Sequence, residues 1–91
     1  MKIYDFFSDP GHGWMKVKRS ELLELGIEGK ISGYSYQRGE FAYLEEDQDA
    51  FTFIEALEAK TGEKFDSENL LRRHIADRSS RIRSYRSYDV D

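Results

Sequence analysis

The spacing of apolar positions changes several times along the chain, and each change predicts an element. "KIYDFF" (residues 2–7) is rich in aromatic and β-branched residues and reads as a strand. "SDPGHG" (8–13) interrupts it with the turn signals Asp9-Pro10 and two glycines. "WMKVK" (14–18) alternates apolar and polar and predicts a second strand, with Trp14 as its anchor and His12 exposed at the turn tip. If Gly11 and Gly13 are there for positive φ, alanine at either position destabilises the fold. "RSELLELG" (19–26) predicts a short helix capped by Ser20 and stopped by Gly26.

"ISGYSYQRGEFAYLEE" (31–46) predicts a hairpin turning at Arg38-Gly39. In that register Tyr36 faces Phe41 and Tyr34 faces Tyr43, so the four rings share one face, and Ser35 and Ala42 oppose each other on the face of small residues. The expected cover for the rings is the helix predicted over 49–61. There Ala50, Phe53, Ile54 and Leu57 follow helical spacing, Asp49 is placed to cap and Gly62 to stop. "DSENLLRRHIADR" (66–78) predicts another helix, capped by Asp66 or Ser67, with Leu70, Leu71 and Ile75 inward. Residues 79–91 fit neither period and read as an edge strand or a mobile tail. The expected organisation is one α+β domain over 1–78: three or four antiparallel strands, an amphipathic covering helix, a C-terminal helix and a basic tail.

The 91-residue length allows a single core, and the absence of cysteine removes disulfides and thiolate metal sites. No apolar run approaches the roughly 20 residues of a membrane span, and no signal-peptide stretch opens the chain. A cytoplasmic protein is the expectation. The net charge of -4 is segregated: residues 1–39 carry +1, residues 40–69 carry -8 and residues 70–91 carry +3. Separate acidic and basic partner surfaces are one consequence of such a distribution, and two solvated faces are the other.

Catalytic and metal chemistry find little support. His12 has neither a G-x-S-x-G motif nor a cysteine beside it, no phosphate-loop pattern surrounds it, and no metal-ligand spacing joins it to His74. The carboxylates Glu45, Glu46, Asp47 and Asp49 lack the calcium-loop spacing. They suit an acidic patch that occupies a basic surface on a nucleic-acid-handling protein. Arg81, Arg83, Tyr85, Arg86 and Tyr88 combine the residue types that supply interface hot spots and those that contact phosphates and bases. The expectation is a non-enzymatic binding protein without cofactor or metal.

The motifs "GHGWMKV", "RSELLELGI", "ISGYSYQRG", "YLEED" and "IRSYRSY" resemble a small protein family carried by bacteriophages, plasmids and other bacterial mobile elements. This resemblance implies an accessory protein acting on a host or element protein, for example as an inhibitor of a defence complex in the manner of anti-CRISPR proteins. The layout of residues 17–46 is also similar to AbrB/MazE-like swapped-hairpin DNA-binding domains, with Leu25-Gly26-Ile27 at the matching place, although Lys18 stands where that family has proline. That similarity implies a dimeric DNA-binding regulator whose contacts include Lys16, Lys18 and Arg19.

Overall fold

The computed structural model describes residues 2–90. It is an α+β fold in which β1 (Tyr4–Ser8), β2 (Gly13–Lys18), β3 (Tyr36–Arg38), β4 (Phe41–Glu45), β5 (Leu71–Ile75) and β6 (Arg86–Ser87) form one sheet in the order β5-β1-β2-β4-β3-β6. Six strands thus replace the expected three or four. All pairings are antiparallel except β1 with β5. Helices α1 (Arg19–Glu24), α2 (Asp49–Thr61) and the single turn α3 (Ser67–Leu70) complete the fold. No described helix is long and apolar enough to cross a membrane.

The aromatic hairpin forms, but two residues out of the expected register. Gly39 and Glu40 turn the chain, so Tyr36 opposes Tyr43 and Arg38 opposes Phe41. A shift by two preserves the face of every strand residue. Tyr34 falls outside β3 and is exposed.

The cover is the opposite of the one expected. Helix α2 packs on the face of small and aliphatic residues, where Ala50 and Phe53 join Met15, Val17, Leu22, Ala42 and Leu44 in the main core. Small side chains such as Ala42 let a helix approach a sheet closely, whereas a row of tyrosines holds it off. The aromatic face instead forms a second cluster, in which Ile82 from the 3₁₀ turn at Arg81–Ser84 packs on Trp14 and Tyr43. Tyr85 follows, with its ring 5.1 Å from that of Tyr43.

Helix 66–78 is also corrected. Asp66 caps a single turn, accepting from the backbone N–H groups of Glu68 and Asn69, and the chain then extends as β5. The apolar spacing there was short, and the open edge of β1 offered a row of unpaired backbone groups. Pairing with that edge outweighs the helical pattern and leaves Ile75 83% exposed rather than inward.

The caps differ in detail from those expected. Lys18, not Ser20, is the N-cap of α1, and Glu21 reaches back to accept from the Lys18 N–H at 2.8 Å. Gly62 ends α2 in a left-handed conformation (φ 75°), which glycine adopts without steric cost. Gly11 and Gly13 do not have positive φ. Gly13 is needed for close approach: a Cβ there would lie 2.7 Å from the Phe6 ring and 2.9 Å from Glu46 Oε2.

Candidate functional site

Turn and strand chemistry builds one pocket from four separate segments. The β1–β2 turn is organised by Asp9, whose side chain accepts from the backbone N–H groups of Gly11 and His12, each at 3.0 Å. The same carboxylate holds the C-terminal segment. Arg83 donates to it through Nε at 2.6 Å and Nη2 at 2.8 Å, and the Ser80 N–H donates at 2.9 Å. The Arg83 fork, more than any other contact, keeps the Asp9 carboxyl far below the usual carboxylate range. Asp9 therefore stays ionised and largely neutralises Arg83, whose guanidinium lies 5.5 Å from the Trp14 ring.

Trp14 and Tyr36 meet edge to face, with centroids 6.2 Å apart, and the His12 ring also lies 6.2 Å from that of Trp14. Beyond them Tyr34 stands free of the sheet, and its N–H is held by Ser32 Oγ at 3.2 Å. Glu45 closes the acidic side. Its carboxylate accepts from the Asp47 N–H at 2.8 Å and the Gln48 N–H at 3.1 Å, which fixes the turn into α2 and presents Asp47 outward. The result is an open pocket of about 370 Å³ lined by His12, Trp14, Tyr34, Tyr36, Glu45, Asp47, Gln48 and Arg83.

The acidic cluster divides between surface and interior. Glu46 and Asp47 are exposed, and Glu45 is half-buried in the pocket wall. Asp49 is fully buried and neither caps α2 nor faces a partner. Its Oδ2 accepts from Ser32 N–H at 3.1 Å, Ser32 Oγ at 2.6 Å and Ser35 Oγ at 2.5 Å. Ser35 Oγ in turn accepts from the Glu45 N–H at 2.9 Å, so Asp49 braces the pocket from behind. The Ser32–Ser35 turn brings hydroxyls over the helix start, and that tertiary contact has no signature in local spacing.

The C-terminal set divides similarly. Tyr88 is a core residue: its hydroxyl donates to the Glu28 carbonyl at 2.7 Å and its N–H to the Ser35 carbonyl at 2.8 Å. Tyr85 is half-buried under Arg38, and Arg83 belongs to the Asp9 clasp and the pocket rim. Arg81 and Arg86 are exposed. Lys16 and Lys18 project from the aromatic face of β2, where Lys16 Nζ sits 4.0 Å from the Phe41 ring centroid. Arg19 opens α1 and lines a different groove, with Leu23, Glu40 and Tyr88.

Trp14, Tyr34 and Tyr36 were legible in the sequence only as strand and hairpin residues. Their convergence follows from the β2–β4–β3 pairing, and Arg83 joins them because it is drawn to Asp9. Among the described residues no group of three or more His, Asp or Glu side chains is placed to hold a metal ion. Comparison with protein-family models, curated proteins and solved structures finds no match to this chain.

Proposed function

We propose that this chain is a non-enzymatic, protein-binding accessory protein of a mobile genetic element, and that the pocket receives an arginine or lysine side chain of its partner. One observation carries this: the rings of Tyr34 and Tyr36, backed by buried Trp14, and the carboxylates of Glu45 and Asp47 line a single opening, from motifs far apart in the sequence. An aromatic face attracts a cation by roughly 0.5–2 kcal/mol, more as water is excluded. Glu45 and Asp47 add opposite charge, and Arg83 opposes little because Asp9 neutralises it. A basic surface on a nucleic-acid-handling protein presents such side chains, and inhibition of a host defence complex is one concrete form of the interaction. The partner-facing residues are Tyr34, Tyr36, Glu45 and Asp47.

The test is titration of a fluorescent arginine-containing peptide into wild type, Tyr34→Ala and Asp47→Asn. Both substitutions lie on exposed positions, so the melting temperature stays unchanged while affinity falls about fivefold to thirtyfold, the equivalent of about 1–2 kcal/mol. Equal affinity in all three proteins contradicts the proposal. A dimeric DNA-binding regulator is the second reading, favoured by the placement of Lys16 and Lys18 on the sheet face that α2 leaves uncovered.

A further inference from the structure

Around the cluster formed by Trp14, Tyr43 and Ile82, the aromatic face has its own chemistry. Register places Arg72, Asp5 and Lys16 in one row across β5, β1 and β2, and Lys18, Phe41 and Arg38 in another across β2, β4 and β3. The carboxylate between them, Asp5, is already taken: Arg72 Nε donates to it at 2.6 Å and His74 Nε2 lies 2.8 Å away. The other carboxylate of this face, Glu45, sits at the far end of β4 in the pocket. Lysine and arginine thus dominate these two rows, and the half-buried ring of Phe41 carries a basic group. Lys16 lies over Phe41, and in the neighbouring row, which runs on through Trp14 to Glu45, His74 stacks on Phe7 with ring centroids 4.7 Å apart at 17°. The molecule is only 20 Å through its thinnest dimension, as expected for two layers with one sheet face open.

We infer that this face binds single-stranded nucleic acid, independently of the pocket. Lys16, Lys18 and Arg38 are placed for backbone phosphates, while Phe41 and the Phe7–His74 stack offer ring faces to unpaired bases. A duplex hides the base faces that these rings would contact. An acidic peptide would satisfy the charges but make no use of the rings.

The probe is a fluorescein-labelled oligothymidylate of about 12 nucleotides, within the length one small sheet platform engages. Anisotropy is read between about 50 mM and about 200 mM salt. Wild type binds at the lower salt and releases steeply as salt rises. The Lys16→Gln/Lys18→Gln variant flattens the slope of log affinity against log salt by about 1.4, at about 0.7 per phosphate contact. Phe41→Leu weakens binding about tenfold and leaves that slope unchanged. Trp14 fluorescence checks folding, and Arg38→Gln carries the charge test if the lysine variant does not fold. The inference is overturned by absent binding at low salt or by an unaltered slope in the charge variant. It is equally overturned if a duplex of the same length, or an oligoglutamate, binds as tightly as the single strand.

Discussion

Replacing Asp49 by alanine separates the two kinds of acidic residue in the 45–49 segment. Asp49 is fully buried and its Oδ2 accepts three hydrogen bonds from Ser32 and Ser35. Removing it leaves the Ser35 hydroxyl, itself fully buried, without its acceptor, which costs about 1–3 kcal/mol. Ser32 is only half-buried, so water can replace the lost partner there at lower cost. The first turn of α2 also loses a negative charge near its N-terminus, worth about 0.3–1 kcal/mol. Against this, Asp49 Oδ1 is buried without a hydrogen-bond partner among the described residues, so part of the wild-type desolvation cost disappears. The net expectation is a loss of about 1–4 kcal/mol. At a urea dependence of about 1–2 kcal/mol per molar, the unfolding midpoint falls by about 0.5–4 M. Urea titration followed by the fluorescence of buried Trp14 measures it. Asp47→Ala, on the exposed turn, stays within about 0.5 kcal/mol of wild type. A loss below about 1 kcal/mol for Asp49→Ala would refute the bracing role assigned to this carboxylate.

Further predictions concern the turn and the ion pairs. Gly13→Ala forces a methyl group against the Phe6 ring and Glu46, and lowers stability by about 1–3 kcal/mol in the same urea assay, while an unchanged midpoint contradicts the close-approach argument. Arg72, and secondarily His74, holds the Asp5 carboxyl down from 3.8 to about 2. A depressed carboxylate contributes its stability above the unfolded value, so that contribution is complete above about pH 4 and lost as pH falls toward 2. Asp9 and Asp66 are lowered as well and act in the same direction. Asp5→Asn therefore gives a shallower decline of melting temperature between pH 4 and pH 2 than wild type, and superimposable acid limbs would refute the ion-pair assignment. Tyr4 is pushed above the ordinary phenol range by burial and by its hydrogen bond to Glu21. Tyr4→Phe consequently removes the part of alkaline unfolding that ionisation of this phenol drives, as read by circular dichroism.

Local pattern carried much of the fold. The two N-terminal strands, the helix ended by Gly26, the aromatic hairpin and the helix ended by Gly62 all follow from periodicity and turn residues. The misreadings share a physical origin in long-range contacts. Leu70, Leu71 and Ile75 have helical spacing, yet the open edge of β1 recruits their segment as a strand. The tyrosine face looked as if it required α2, but the flatter face of Ala42 and Leu44 accepts a helix more closely. Asp49 has the local environment of a cap and is instead drawn inward by two serines more than a dozen residues away. The pocket was half legible: its acids stood out as a cluster, while its rings looked like ordinary strand residues until Asp9 drew Arg83 across the sheet.

Entry of a cationic side chain into the pocket is read through the indole N–H resonance of Trp14, the only tryptophan in the chain. An arginine-containing peptide is titrated into isotopically labelled protein, with a peptide in which citrulline replaces arginine as the uncharged control. A saturable shift of the Trp14 indole and of the Tyr34, Tyr36 and Asp47 amides is expected with the arginine peptide, and a much weaker response with citrulline. Equal shifts with both peptides, or shifts confined to other parts of the molecule, would contradict it.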